Sequence, residues 1–283
     1  MIIVDFSQIS YACILDHLAS TKTVSPDIKL VRYIILNSLR SHVKRFKAEY
    51  GEVVIAFDDK SYWRTDYFPH YKANRKKSRA KSPFDWNSIF LCMDALKKEL
   101  RENLMYKIIQ VDKCEADDII GLLTQVNAPS QKIMIVSGDK DFNQLQTNSN
   151  VRQYSPLLKK QIIEQFPQAS LRQLIIRGDT SDGVPNILSP DDVFVSGGRQ
   201  RPIMEKKIIT WINTPVEMFC TNEEMLRNFR RNEKLIDLRQ IPADINTKIA
   251  EAYEGATAHS RGHFLKYLIT SGLRELTSSV SDF

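Results

Sequence analysis

The segment QKIMIVSGDKDF, residues 131–142, sets four apolar residues, Ile133–Val136, directly before Ser137, Gly138 and the acidic pair Asp139 and Asp141. A short apolar run without alternation is the pattern of a strand covered on both faces. Acids that follow it directly emerge at the strand's carboxyl end. The pattern recurs upstream. MIIVDF (1–6) ends its apolar run at Asp5, and EVVIAFDD (52–59) ends at Asp58 and Asp59. YKIIQVD (106–112) reads as a further strand.

Helical stretches separate these strands. Ile28 to Tyr50 carries Leu30, Ile34, Ile35, Leu39 and Val43 near helical spacing, and Gly51 follows as a C-cap. Asp85 is placed to cap a helix running through Ile89, Met93 and Leu96 to about Asn103. CEADDIIGLLTQV (114–126) reads as a helix with an acidic first turn and the stripe Ile119, Leu122, Leu123 and Val126. Such alternation predicts an α/β fold, a mostly parallel central sheet with helices on both faces. Ligands of such sheets bind beyond the carboxyl ends of the strands, where strand order reverses. After about Tyr154 the patterns become helical, with ILSPDDVFVSGGRQRP (187–202) as a loop. The expected division is an α/β core over 1–158 and a helical region over 159–283.

Net charge is +6, from 40 basic and 34 acidic residues, and its distribution matters more than its size. Between Arg64 and Lys81 stand Arg64, His70, Lys72, Arg75, Lys76, Lys77, Arg79 and Lys81 against the single acid Asp66. Such a segment attracts phosphate. Within YWRTDYFPHYKANRKKSRAKSP (62–83), a helix would put Lys72 and Arg75 on one face. Tyr62, Trp63, Tyr67, Phe68 and Tyr71 either stack on bases or anchor the segment to the core. Four scattered cysteines form no CxxC pair, and the histidines form no ligand set. No run approaches the roughly 20 apolar residues of a membrane helix. MIIVDF reads as a strand and not as a signal peptide, so a cytoplasmic protein without membrane contact is expected.

Hydrolysis of phosphodiesters with metal assistance uses two divalent cations about 3.5–4 Å apart. Magnesium prefers carboxylate and water oxygens, so several segments must each supply carboxylates. Five do so here: Asp5; Asp58; Glu115, Asp117 and Asp118; Asp139 and Asp141; Asp179 and Asp182. Any one of these could be a helix cap or a solvated strand end. Capping does not explain why the residues that end the strands are aspartates.

The strings EADD (115–118), SGDKDF (137–142) and GDTSDGVPN (178–186) resemble the acidic signatures of the 5′ nuclease superfamily. That superfamily includes flap endonucleases and the 5′ nuclease domains of bacterial DNA polymerases. Through VDFSQI, SYWRTD, YKANR, QYSPLLKK and TSSVSDF, the part of it most resembled is the ribonuclease H group of T-even bacteriophages. The resemblance implies a PIN-like core followed by a helix–three-turn–helix. It implies two Mg²⁺ ions, with Mn²⁺ able to substitute. Asp5, Asp58, Glu115 and Asp117 would surround the first ion, with Asp118 and Asp139 beside them, and Asp141, Asp179 and Asp182 would serve the second. It further implies catalytic roles for Lys72 and Arg75 at a gateway over about residues 60–82, with Arg64, counted among the DNA contacts, matching an arginine common before that segment. Lys76, Lys77 and Arg79 read as steering DNA by charge, and Lys206, Lys207, Arg199 and Arg201 as supplying duplex contacts where the chain leaves the family's hairpin pattern. The implied substrates are branched or nicked duplex DNA and RNA–DNA hybrid. A single-stranded DNA-binding protein and the replication machinery are the implied partners of a monomer. The chain departs from the pattern after GDTSDGVPN, where LSPDDVFVSGGRQRP (188–202) replaces a glycine-tight hairpin.

Two other readings compete. A non-catalytic, structure-specific DNA-binding module would have no need of every carboxylate. A phosphatase of another α/β fold would want a strand-ending DxD, and MIIVDFSQ lacks the second aspartate.

Overall fold

A computed structural model describes residues Met1–Phe283. Six strands form one sheet: β1 (Ile2–Asp5), β2 (Val53–Ala56), β3 (Lys107–Ile109), β4 (Ile133–Val136), β5 (Val151–Ser155) and β6 (Lys160–Ile162). Their order is β3-β2-β1-β4-β5-β6. All neighbours are parallel except β5 and β6, which form an antiparallel hairpin. From β1 the chain steps outward to β2 and β3, then returns to lay β4 on the other flank of β1. That reversal is the switch point at which such sheets open a crevice. The register pairs Asp5 with Ala56 and Val4 with Val136, so the acids following β1, β2 and β4 leave the sheet side by side.

Both faces of the sheet are covered, which is why the strand runs do not alternate. Ile2, Val4, Val53 and Ile55 pack with the helices Phe6–Thr21, Ile28–Tyr50 and Trp86–Asn103. Met1, Ile3, Val54 and Ile135 pack on the other side with Ile119, Ile120 and Leu123 of the helix Ala116–Asn127. The expected caps are in place. Asp85 accepts from the amides of Asn87 and Ser88, and Gly51 ends its helix with φ +77° and its N–H on Lys47 O at 2.9 Å.

The helical remainder does not stand apart from this core. Phe264, Tyr267, Leu268, Leu273, Leu276 and Phe283 are buried with the first set. Leu238, Ile241, Ile245 and Ile249 are buried with the second. A third core joins Phe68 and Tyr71 to the helices Pro167–Arg177 and Glu223–Ile236.

Strands β5 and β6 are a departure from the sequence reading, and β6 lies just past residue 158. Their chemistry conceals them. In β5, Gln153 is fully buried and gives its amide to Ser137 O (3.0 Å) and Asp139 O (2.6 Å), while β6 is largely exposed. The basic segment also differs from expectation. After the short helix Trp63–Tyr67, its next helix starts only at Asn74, and Lys72 precedes it with φ +56°. Lys72 and Arg75 therefore share no helical face, and they converge by another route described below. No helix is long and apolar enough to cross a membrane.

Candidate active site

Three strand ends and two loops bring the predicted carboxylates together. Asp5 ends β1 and caps the helix Phe6–Thr21, accepting from Gln8 N at 3.1 Å and Ser137 Oγ at 3.0 Å. Asp58 follows β2 and accepts from Ala116 N at 2.9 Å, which ties it to the start of the helix bearing Asp117. Asp139 follows β4 and accepts from Asp141 N at 3.0 Å. Asp5, Asp58, Asp117 and Asp139 border one open cleft of about 670 Å³. Beside it, Asp141, Asp179 and Asp182 each place a carboxylate oxygen within 4.8 Å of the others.

Crowding raises the affinity of these groups for protons. Burial, then Asp58 and Asp139, push Asp5 up to about 7. Burial, then Asp139 and Glu115, hold Asp117 well above the carboxylate range, and burial with Asp139, Asp182 and Asp179 does the same to Asp141. Asp141 Oδ1 is buried without any hydrogen-bond partner. Like charges packed this way need cations, and the donors are all hard oxygens. Burial pushes the nearby Cys114 thiol up to about 12, so no soft thiolate is offered. This donor set fits hard divalent cations.

Protein cations supply part of the balance. Lys72 pairs with Glu115 and lies 3.6 Å from Asp182, and Arg75 meets Asp182 at 2.6 Å. Burial alone would raise the Asp182 carboxyl, but Lys72 and Arg75 together hold it below its ordinary value. The gateway reaches this point by docking its backbone on the loop Gly178–Asn186. Lys72 N donates to Asp182 O at 2.7 Å, and Asn74 Nδ2 donates to Thr180 O at 2.7 Å. Gly183, at φ +71°, allows the approach, because a Cβ there would lie 3.0 Å from His70 O. Gly178, at φ +68°, closes the other end, and Asp179 bridges to Val184 across the loop.

Two predicted residues prove to have other surroundings. Arg64, expected among the DNA contacts, is only 2% exposed. It pairs with Glu115 at 2.9 Å and Asp118 at 2.8 Å and donates to Leu235 O, so it braces the helix start and is closed to DNA. Asp118, expected beside the metals, is fully buried and spent on Arg64, on Trp63 Nε1 (3.1 Å) and on Glu115 N (3.0 Å). Glu115 is equally enclosed, with Arg64, Tyr71 and Lys72 on its carboxylate. Lys76, Lys77, Lys206 and Lys207 are exposed. Arg79 borders the cleft, its guanidinium 4.8 Å from the Phe90 ring.

Several groups had no clear mark in the sequence. Tyr71, one of a run of aromatics, is buried, and its hydroxyl spans Glu115 (2.9 Å) and Asp182 (2.8 Å). Trp63 and Phe68 are buried with it, which makes three of those aromatics anchors. Gln8 takes Gly138 N at 2.6 Å and so steadies the turn before Asp139. Lys97, Lys98 and Arg101 line the same cleft.

Residues 2–173 match the family described as 5′-3′ exonuclease, N-terminal resolvase-like domain, and residues 166–283 match T4 RNase H, C terminal. Ribonuclease H of Enterobacteria phage T4 is 31% identical over an alignment of 291 positions, covering 99% of this chain and 95% of its own. Among solved structures, a bacteriophage T5 flap endonuclease in a pseudo-enzyme–product complex with DNA and metal ions superposes with TM-score 0.59. It is 15% identical, with 89% of this chain and 98% of that one covered. A T5 protein co-crystallised with metal ions gives TM-score 0.57 and 15% identity over 99% and 98% of the two chains. With a family match across more than half its length and a relative matched almost end to end, the chain belongs to the 5′-3′ exonuclease family.

Proposed function

We propose that this protein is a Mg²⁺-dependent 5′ nuclease that removes RNA primers during lagging-strand replication. The chain is a phosphodiester hydrolase of the 5′-3′ exonuclease and flap endonuclease type. The observation that carries the reading is the convergence of carboxylates from five segments, four of them bordering one cleft with Lys72 and Arg75 and the fifth grouped with Asp141 beside it. Asp5, Asp58, Glu115 and Asp117, with Asp139 beside them, would hold one cation. Asp141, Asp179 and Asp182 would hold the other. When bound, such ions supply the charge that activates water and stabilises the departing oxygen.

The chain's own residues do the rest. Lys72 and Arg75 line the cleft beside the carboxylates, where they would take phosphate oxygens and offset charge that grows during cleavage. Arg79, Lys97, Lys98 and Arg101 line the same cleft, and the exposed Lys76 and Lys77 adjoin it in sequence. Glu115 and Asp118 are held by Arg64, so the helix start cannot drift when substrate enters. The proposed division of labour gives chemistry to the α/β core and the grip on duplex backbone to the helical region, through Lys206 and Lys207 among others. The proposed substrates are branched or nicked duplex DNA and RNA–DNA hybrid. Mn²⁺ is expected to replace Mg²⁺, and single-stranded DNA-binding and replication proteins are the proposed partners of a monomer.

A labelled 5′-flap duplex incubated with the protein, with Mg²⁺ or with EDTA, tests this reading. Cleavage that needs Mg²⁺ and leaves 5′ phosphates is expected. Asp139→Asn should lower kcat roughly 100-fold or more, since a site that stabilises charge by several kcal/mol loses a ligand. DNA binding in a mobility-shift assay should stay close to that of the parent. Equal cleavage in EDTA would falsify the proposal.

A further inference from the structure

We propose that Arg231 is a positioning residue for Asp182, holding from behind the two chain segments that meet at that carboxylate. The inference rests on the cation-dependent nuclease reading above.

Arg231 lies on the helix Glu223–Ile236 and is only 5% exposed. Its Nη2 donates to Pro185 O at 2.9 Å, and Pro185 stands three residues beyond Asp182. Its guanidinium also lies 5.2 Å from the ring of Phe68, which stands four residues before Lys72. One group therefore touches both arms of the clamp, the loop with Asp179 and Asp182 and the gateway with Lys72 and Arg75. The fork is itself held. Asn232 Oδ1 accepts from Nε at 3.0 Å and Nη2 at 2.8 Å, and Asp191 pairs with Nη1.

The need for such a brace follows from the loop. From Val184 to Arg201 the chain forms no helix or extended strand, only the single bridge at Val184, so its carbonyls need partners from elsewhere. The helix supplies them. Asn232 Nδ2 donates to Pro185 O and Ile175 O, both at 2.8 Å, and Asn228 Nδ2 donates to Ile187 O at 3.1 Å. Gly183 lies between Asp182 and this anchored stretch in a left-handed conformation. Burying a guanidinium is unfavourable, and burial lowers its pKa here. An apolar side chain of equal length would fill the same space. It would leave the Pro185 carbonyl to Asn232 Nδ2 alone, and the hold on Asp182 against Lys72 and Asp141 would loosen.

The test is calorimetric titration of Mg²⁺ into the full-length parent, Arg231→Met and Arg231→Lys, alongside flap cleavage. Groups that orient metal ligands without touching the metal are worth about 10–100-fold in affinity. For folded Arg231→Met, one cation-binding event should weaken about 10-fold and kcat should fall about 10-fold, with KM for the flap within about two-fold. Arg231→Lys keeps the charge without the fork and should fall between parent and Met. Unchanged cation affinity in folded Arg231→Met overturns the inference. Should that variant fail to fold, parent-like affinity in Arg231→Lys overturns it equally. A parent protein that takes up no cation sinks the nuclease reading and this inference together, whereas parent uptake with an unchanged variant sinks only this one.

Discussion

Asp5 shows most directly what the acidic site costs the fold. Its carboxyl is pushed from 3.8 up to about 7, first by burial and then by Asp58 and Asp139. A carboxyl raised on folding contributes stability fully present below its ordinary value and lost as pH climbs through the folded value. Asp117, Asp139 and Asp141 are raised in the same direction, whereas Asp182, held low by Lys72 and Arg75, and His42, pushed by burial down to about 4, work the other way. Cation-free protein should therefore melt at progressively lower temperature as pH rises from about 4 to about 7, and saturating Mg²⁺ should flatten that slope. Scanning calorimetry in EDTA and in Mg²⁺ reads this directly. A cation-free melting temperature that climbs over this range counts against the crowding described here.

Among the connecting elements, the loop Gly178–Asn186 carries the sharpest steric demand. A Cβ at Gly178 would lie 2.3 Å from Val184 O and 2.5 Å from Pro185 O, backbone atoms that cannot swing aside. Gly51 also has a positive φ, but nothing lies within 4 Å of its Cβ direction. Gly51→Ala should cost about 1–2 kcal/mol for the backbone alone, and Gly178→Ala about 3 kcal/mol or more. Denaturant melts of the two variants separate the contributions, and equal losses would show that the loop can relax around the added methyl. Elements with an apolar signal were legible from sequence. The runs at Ile2, Val53 and Ile133 read as covered strands because both faces are in fact covered. Hairpin β5–β6 was not legible, because Gln153 is buried through hydrogen bonds and not by apolar packing, and β6 is largely exposed. The carboxylates were legible as a set, since strand ends at a switch point must converge. Their sorting was not. Whether Asp118 or Asp117 borders the cleft depends on which side chain Arg64 and Trp63 capture, and those partners lie 54 and 55 positions away from Asp118.

At the scale of the whole molecule, the C-terminal helices are structural members of the α/β core. Phe264 is fully buried and packs against Phe283 with ring centroids 4.9 Å apart. Phe264→Ala should cost about 3–5 kcal/mol. Because its neighbours belong to the helices that cover the sheet, the variant should still melt in one transition, shifted downward. Two separate transitions would mean that the helical region folds alone. The interleaving has a temporal side. A ribosome delivers Asp5 well before Asp179 and Asp182, and Phe264 later still. Chains emerge from the N-terminus at about 5–20 residues per second, so every growing molecule spends seconds with part of its acidic set. During that interval neither the carboxylate constellation nor the hydrophobic seal around it is complete.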